Sequence, residues 1–250
     1  MLVRLSLLVL AVLPCCFAGM ATPPENDQVK DDQASIEVNA AERKLKAEKI
    51  LFLGNSITLH GPLESIGWSG NWGMAASEAS KDYVHLLTDR FSNAAGSKPE
   101  TLVKNIADFE RGYVDYRIEE KLRDALEFRA DIIVVAIGEN VSSLDTEESR
   151  FAFQLSVTNL LKQLKGGHHP RIFVRTTFWT DEVKNRCLAE ACKATDSVLV
   201  DLGKLDADEA NFARSERTIE HAGVAGHPGD QGMQAIADIL WKAIEKSETP

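Results

Sequence analysis

Five short apolar runs, rich in β-branched residues, recur along the chain and are separated by stretches with helical periodicity. They fall at about 49–54, 101–104, 131–137, 171–177 and 197–202. Consecutive parallel strands need a crossover connection, which is usually a helix, so this alternation is typical of a parallel sheet covered by helices on both faces. The sequence therefore predicts an α/β domain with a five-stranded parallel sheet.

Four stretches place apolar residues on one helical face, and they span about 113–129, 146–164, 182–194 and 230–245. Asp145 is the expected N-cap of the second of these helices. A further helix is expected to begin near Gly73 and to continue through Phe91. These helices would supply the two layers that cover the sheet.

The first 21 residues have the pattern of an export signal. Arg4 provides a basic start, the apolar run from Leu5 to Leu13 is too short to span a bilayer, and the small residues Ala18 and Ala21 suit cleavage. We therefore expect a secreted or periplasmic protein with no stable membrane span after cleavage. A short membrane anchor is the alternative interpretation of the same run.

The expected organisation is a signal peptide over 1–21, a polar linker and lead-in over 22–48, and one folded domain over 49–250. A content of 44% hydrophobic and 26% charged residues is normal for one globular domain. The formal net charge of −10 argues against a nucleic-acid-binding surface and against attachment to anionic lipid.

The sequence predicts neither a metal nor an organic cofactor. Cys187 and Cys192 lie five residues apart in one predicted helix, on different faces, so we expect free thiols rather than a disulfide or a metal site. His168 and His169 stand in a Gly-Gly-His-His-Pro turn with no third ligand at metal spacing.

Three polar residues lie at or just beyond the ends of predicted elements. Ser56 follows the first strand, Asn140 follows the third, and His227 precedes the last helix. The carboxyl ends of parallel strands share one edge, so Ser56 and Asn140 are expected to approach each other there. A serine, a histidine base and an amide donor form a set that performs acyl transfer, although Asn55 and Ser56 are also ordinary turn residues.

The stretch 59–72 is irregular and rich in glycine, and it follows Ser56 directly. Trp68 and Trp72 within it could form a substrate wall, or they could fix a long loop to the body of the domain. Trp179, just beyond the fourth strand, could likewise line the pocket or cap the core.

Four short motifs resemble the conserved blocks of the SGNH, or GDSL-like, hydrolase family, in the same order over roughly residues 49–245. They are Gly54-Asn55-Ser56, Asn105-Ile106-Ala107, Gly138-Glu139-Asn140 and His227-Pro228. The resemblance implies a three-layer α/β/α sandwich of flavodoxin-like type. It also implies a nucleophile at Ser56, a general base at His227, and an oxyanion hole formed by the N–H groups of Ser56 and Ala107 with the side chain of Asn140.

Three positions depart from the family pattern. Asn55 replaces the aspartate that usually stands beside the nucleophile, and Ala107 replaces a glycine whose N–H serves the oxyanion hole. Val224 occupies the place, three residues before the histidine, where the family carries the acid of the triad. We therefore expect a Ser56–His227 dyad, with the ring N–H of His227 held by a backbone carbonyl of residues 220–226.

Other polar residues near these motifs have simpler interpretations. Asp230 is expected to cap the last helix, Glu139 to be a surface side chain, and Glu220 and His221 to be solvated loop residues. His60 is a rival for the role of base.

These observations predict a secreted serine esterase that hydrolyses a small acyl ester, with acetyl on a carbohydrate as the substrate class that the family and the export signal suggest. The alternative is a degenerate module of the same fold that binds a glycan or an acylated ligand without turnover. A nucleotide or flavin binder is a weaker rival, since the chain lacks a Gly-rich dinucleotide fingerprint and a P-loop.

Overall fold

The computed structural model describes residues 47–247 of the chain. The predicted signal peptide and nearly all of the linker lie outside the described residues. Within the described part, no helix is long and apolar enough to cross a membrane.

The centre of the domain is a parallel sheet of five strands, in the spatial order β2-β1-β3-β4-β5. The strands are β1 Lys49–Gly54, β2 Glu100–Asn105, β3 Ile132–Ala136, β4 Arg171–Arg175 and β5 Val198–Val200. This is the strand order of flavodoxin-like doubly wound folds. The predicted α/β class, strand number and parallel direction are all confirmed.

The helices are α1 Tyr83–Ala95, α2 Ala107–Gly112, α3 Ile118–Lys121, α4 Arg123–Phe128, α5 Glu147–Lys165, α6 Glu182–Thr195, α7 Ala213–Glu216, α8 Ala222–Ala225 and α9 Asp230–Lys246. Single 3₁₀ turns occur at Glu64–Ile66, Ala79–Lys81, Leu205–Ala207 and Glu209–Asn211.

The two faces of the sheet bury alternate residues of each strand, as the period of two requires. Ile50 and Phe52 point into a layer with α1 and α9, whereas Leu51 and Leu53 point into a layer with α2 to α6. All four side chains are completely buried. Two helical layers around one sheet make a three-layer sandwich.

The structure corrects three helix expectations. The stretch 113–129 is not one helix: α3 and α4 are separated by Leu122, whose φ of −116° and ψ of 23° are not helical. The apolar periodicity correctly indicated which residues are buried, since Leu122 and its apolar neighbours pack into the core. It did not indicate that the helix is continuous.

The other two corrections concern helix starts. Helix α1 begins at Tyr83 rather than near Gly73, because the Asp82 side chain accepts a hydrogen bond from the N–H of His85 and ends the preceding loop. Helix α5 is capped by Thr146 rather than Asp145, through a reciprocal capping box with Ser149.

Candidate active site

Ser56 lies in the tight turn that follows β1. The N–H groups of Thr58 and Leu59 both donate to the carbonyl of Asn55 and close the turn. A Cβ atom on Gly54 would lie 1.9 Å from Oγ1 of Thr58 and 2.9 Å from the carbonyl oxygen of Ala136. Only glycine fits there, so the end of β1 can pass close to β3 and present Ser56 at the sheet edge.

His227 lies between α8 and α9 and reaches the serine. Its Nε2 is 2.8 Å from Oγ of Ser56, and its Nδ1 is 2.7 Å from the carbonyl oxygen of Gly223. A carbonyl oxygen only accepts hydrogen bonds, so Nδ1 carries the proton of the neutral ring. Nε2 is then free to accept the hydroxyl proton of Ser56.

The surroundings of His227 favour the neutral ring. Burial lowers the pKa of His227, and the hydrogen bond to Gly223 and the charge of Glu139 oppose this without reversing it. The ring of Trp179 packs edge-on against the imidazole, with centroids 5.1 Å apart. A neutral imidazole near neutral pH is the form that can act as a base.

Position 224, where the family carries the acid of the triad, has apolar surroundings in this structure. Val224 is buried in a cluster with Trp68, Met74, Ala75 and Ala213. The imidazole Nδ1 is instead engaged by a main-chain carbonyl of the same loop. The side chain at position 224 therefore serves packing.

Asn140, beyond the end of β3, lines the same cavity as Ser56 and His227. Its Nδ2 donates to Oε2 of Glu110 over 2.8 Å. An amide nitrogen carries two hydrogens, so one remains available toward the cavity. Its Oδ1 is 3.3 Å from Nη2 of Arg111, which fixes the amide orientation.

The N–H of Ala107 has a local partner. It donates to Oδ1 of Asn105 over 2.9 Å, and Nδ2 of Asn105 donates to the carbonyl of Leu59. An oxyanion at this site would share the Ala107 N–H with Asn105. Within the described residues, the N–H of Ser56 has no hydrogen-bond acceptor.

A buried network of hydrogen bonds holds Asn140 in place, and Glu110 is its central acceptor. This carboxylate accepts hydrogen bonds from the N–H groups of Gly138 and Asn140 and from the side-chain amides of Asn140 and Asn55. Burial, together with the nearby charge of Glu139, raises the pKa of Glu110. The network holds the amide of Asn140 and the backbone of the third motif in one arrangement.

We expected Glu139 to be a surface side chain, and this prediction is wrong. Its side chain is buried and forms an ion pair. Its Oε1 is 2.5 Å from Nη1 of Arg175, and it accepts from the N–H of Phe178 and from Nδ2 of Asn55. Burial works against ionisation of Glu139, but the Arg175 guanidinium and these hydrogen bonds outweigh it and hold the carboxyl pKa below its ordinary value. Arg175, at the end of β4, is fully buried as well, so this ion pair lies in the interior of the domain.

The cavity above Ser56 has a volume of about 340 Å³. Its polar rim includes Asn105, Asn140, Arg111, His60 and His221, while Ile66, Met74 and Val224 supply apolar surface. The space suits a small ester group in contact with Ser56.

The three tryptophans lie beside this cavity rather than in its lining. Trp68 donates to the carbonyl of His60 and Trp72 to that of Ala76, and their rings meet edge to face at 5.5 Å. Both fix the 59–72 loop and line a neighbouring pocket of about 230 Å³. Trp179 supports His227. A role for any of the three in substrate binding stays a prediction.

The remaining sequence expectations near the site have mixed outcomes. Asp230 does not cap α9: its carboxylate accepts from the N–H and hydroxyl of Ser77, and Glu216 accepts from the first N–H groups of the helix. Glu220 is exposed, as expected. His221 is exposed too, but its Nδ1 also accepts from the N–H of Val224 and so caps α8.

His60 lines the cavity, and its Nδ1 is 2.7 Å from the carbonyl oxygen of Gly61. The ring that lies at hydrogen-bond distance from Ser56 is that of His227. His227 is therefore better placed than His60 to act as the base.

Within residues 47–247, no group of three or more His, Cys, Asp or Glu side chains is placed to hold a metal ion. Cys187 and Cys192 are buried free thiols. Burial raises the pKa of the Cys192 thiol to about 12, which makes it a poor nucleophile.

Sequence reasoning missed Glu110, Arg111 and Arg175. Arg175 had a visible signal, a charged residue inside a predicted strand and directly after the apolar residues 172–174. Glu110 and Arg111 belong to a short helix directly after the second motif. Nothing in their spacing shows that the first turns inward to Asn140 and the second toward the cavity.

Comparisons with known proteins identify the fold. No family model and no curated protein matches the sequence. A protein from Bacteroides uniformis assigned as a GDSL-like lipase superposes with a TM-score of 0.53 at 16% identity, covering 80% of this chain and 96% of that one. A second such protein, from Bacteroides ovatus, gives 0.52 at 16% identity, with 80% and 99% covered.

A family two carbohydrate esterase from Clostridium thermocellum, solved in complex with cellohexaose, gives a TM-score of 0.52 at 14% identity. The match covers 80% of this chain and 64% of the esterase. Together with the strand order and the four motifs, these likenesses show that the chain has the fold of the SGNH, or GDSL-like, hydrolases.

Proposed function

We propose that the protein is an exported serine esterase of the SGNH type. The single observation that carries the proposal is the 2.8 Å contact between Oγ of Ser56 and Nε2 of a histidine whose other nitrogen faces the Gly223 carbonyl. This contact lies in a cavity that Asn140 also lines. A nucleophile, an oriented base and an amide donor are the parts that acyl transfer requires.

In the first half-reaction, Oγ of Ser56 attacks the ester carbonyl while Nε2 of His227 takes the hydroxyl proton. The negative charge that develops on the carbonyl oxygen is stabilised by the N–H of Ser56, the amide of Asn140 and the shared N–H of Ala107. His227 then gives its proton to the leaving alkoxide, and the acyl group stays on Ser56.

In the second half-reaction, a water molecule gives a proton to His227 and attacks the acyl-serine. Collapse of this intermediate releases the acid and returns the proton to Ser56. A carbonyl dipole at Nδ1 stabilises the imidazolium less than a carboxylate would, so we expect modest turnover.

The substrate we propose is a small acyl ester, with an acetyl group on a carbohydrate as the first class to test. Support comes from the small cavity and from the carbohydrate esterase among the structural relatives.

A binding module without turnover is the second candidate function. One observation favours it: the N–H of Ala107 already donates to Oδ1 of Asn105. The oxyanion hole therefore lacks one of its three donors unless that bond is shared.

The experiment that separates the two is hydrolysis of 4-nitrophenyl acetate by the wild type, Ser56→Ala and His227→Ala. We expect each substitution to lower kcat by about 10³-fold or more, because removal of a nucleophile or its base has effects of this size. Ser80→Ala is the matched control, since Ser80 is exposed and its hydroxyl binds Glu78. Equal turnover by the wild type and Ser56→Ala would exclude the esterase.

A further inference from the structure

We propose that Arg111 makes the site selective for esters that carry a second, anionic group close to the scissile bond, such as a carboxylate, sulfate or phosphate. The inference rests on the proposed esterase function and specifies its substrate class.

Arg111 lies in the wall of the same cavity as Ser56 and contacts Asn140. Arg111 lies in α2 directly after Glu110, is exposed, and lines the cavity that contains Ser56. Its Nη2 is 3.3 Å from Oδ1 of Asn140. A guanidinium carries five N–H donors, so this single contact leaves most of its donors free.

Among the described residues that line the cavity, the one permanently charged side chain is Arg111, which is positive although the protein as a whole is negative. The chain has a formal net charge of −10, yet none of the described residues that line the cavity is an aspartate or a glutamate. The lining instead contains Arg111 and the histidines at positions 60, 221 and 227. The positive charge of Arg111, with no acidic side chain beside it in the lining, attracts ligands of the opposite sign.

The carboxylates nearest to Arg111 in sequence are already engaged. Glu110 binds the groups behind Asn140, and Asp108 accepts from Tyr116 and Lys121. Within residues 47–247, Arg111 has no carboxylate partner of its own. The guanidinium is therefore available to a ligand in the cavity.

Two of the histidines add polar groups at the rim. Nδ1 of His221 accepts from the N–H of Val224, so the proton of the neutral ring is on Nε2. Nδ1 of His60 donates to the carbonyl of Gly61, which leaves its Nε2 as an acceptor in the neutral form. An anion held by Arg111 could gain a second donor from His221.

The chemistry of arginine favours anionic oxygens. The planar fork of a guanidinium matches the two oxygens of a carboxylate and the oxygens of phosphate or sulfate. Because Arg111 is exposed, solvent weakens the contact, and we expect a preference of about tenfold rather than the larger effects of buried pairs.

A different role for Arg111 would be to orient Asn140 alone. The two roles predict different results, since loss of orientation slows the reaction of every ester alike, whereas loss of anion binding slows only the anionic ones. The test therefore compares esters that differ only in charge.

The experiment measures kcat/KM on two matched pairs of esters, with an anionic and a neutral member in each. Monomethyl succinate against methyl succinamate places the charge on the acyl side, and 4-acetoxybenzoate against 4-acetoxybenzamide places it on the alcohol side. We expect the wild type to prefer the carboxylate in at least one pair by about tenfold, and the responsive pair identifies the side that faces Arg111.

Three variants and a control complete the test. Arg111→Gln should abolish the preference, Arg111→Lys should keep part of it, and Arg111→Glu should reverse it. Arg117→Gln is the control, because Arg117 is an exposed arginine paired with Glu120 outside the cavity. Absence of a preference in the wild type, or equal losses on both members of a pair in Arg111→Gln, would overturn the inference and leave the esterase function intact.

A binding measurement decides the inference even if no ester is turned over. Calorimetric titration of Ser56→Ala with monomethyl succinate and with 4-acetoxybenzoate should show binding of at least one, weakened about tenfold by adding Arg111→Gln. No binding, or binding that Arg111→Gln does not change, would contradict the inference. Binding with no turnover by the wild type would contradict only the esterase.

Discussion

At the scale of single residues, the contacts of Asn55 explain why an amide stands beside Ser56, the proposed nucleophile. Its Nδ2 lies 2.7 Å from Oε2 of Glu139 and 3.3 Å from Oε1 of Glu110, and its Oδ1 accepts from the N–H of Ile57. An aspartate at this position would have no hydrogen to donate and would add a third carboxylate to a buried pair. Asn55 therefore departs from the family pattern because its amide supplies the hydrogen-bond donors that Glu110 and Glu139 accept.

Asn55→Asp, which restores the usual family residue, is expected to lower the free energy of unfolding by about 1–3 kcal/mol, since a buried donor is lost among like charges. The new carboxyl would have a raised pKa in the folded state. Its proton can bind Glu139 at low pH, so the loss should shrink as pH falls and grow as pH rises.

Urea unfolding at several pH values tests this expectation. Asn185→Asp is the matched control, because Asn185 uses only its Oδ1, as an acceptor for Thr177, and an aspartate keeps that bond. Equal effects of the two substitutions would contradict the role given to the Asn55 amide.

His227 sets the expected dependence of activity on pH. The base must be neutral to take the serine proton, and burial lowers its pKa, so the active form should persist below the ordinary histidine value of 6.5. The acid limb of kcat/KM, measured from pH 4 to 9 on 4-nitrophenyl acetate, should therefore have its midpoint below 6.5. A midpoint clearly above 6.5 would indicate a nearby carboxylate acting as the acid that the dyad lacks.

At the scale of elements, Asp82 connects the irregular loop after Ser56 to the first helix. Its carboxylate accepts from the N–H of Gly73 at 2.9 Å and from the N–H and Nδ1 of His85 at 2.8 Å each. Asp82 and Gly73 are buried, so without the carboxylate the N–H of Gly73 would lose its partner out of reach of most solvent, whereas His85 is exposed and can turn to water. The helix cap thus also holds the loop.

Asp82→Ala should lower the free energy of unfolding by about 2–4 kcal/mol, the sum of a lost N-cap and an unsatisfied buried N–H. Asp181→Ala removes a cap that binds the first N–H groups of α6 and the ammonium of Lys184 but holds no loop, and it should cost about 1 kcal/mol. Urea denaturation of both variants provides the comparison. Similar losses in the two would show that Asp82 acts as an ordinary cap.

The elements that the sequence predicted well are those whose pattern comes from burial. The five strands were found because each is apolar and bounded by turn residues, and β1 was predicted with its observed limits, Lys49–Gly54. Helix starts were less predictable, because Thr146 and Asp145 are both good caps and only the folded chain selects between them. The apolar spacing at 113–129 likewise did not reveal the break at Leu122.

The positions of candidate site residues were predictable where those residues come within a few positions of the end of a strand. Ser56 and Asn140 follow β1 and β3, and the parallel direction of the strands brings both to one edge. The buried residues that bind to this region could not be predicted in the same way. Glu110 binds Asn140, which is 30 residues away in the sequence, and Arg175 binds Glu139, which is 36 residues away. Such contacts depend on the packing of whole layers.

At the scale of the whole molecule, the strand order determines where a ligand can bind. The connection from β1 leads to β2 on one side and the chain then returns to β3 on the other, so β1 and β3 flank the topological switch point of the sheet. Crevices at such points are the usual ligand sites of open α/β sheets. Ser56 and Asn140 lie at this point, and the loop with His227 covers it.

The predicted signal peptide also concerns the whole molecule. If the run from Leu5 to Leu13 directs export with cleavage, N-terminal sequencing of the native protein should begin at Gly19 or Thr22. A native chain that begins at Met1 and fractionates with the cytoplasm would contradict export.

The most direct test of the central claim is the chemical reactivity of Ser56. We predict that a serine-directed fluorophosphonate modifies the wild-type protein once, and that peptide mass spectrometry places the adduct on Ser56. His227→Ala should be labelled at least about a hundredfold more slowly, because the hydroxyl then has no base at hydrogen-bond distance. An adduct on another serine, or labelling of Ser56→Ala at the wild-type rate, would show that Ser56 is not the nucleophile.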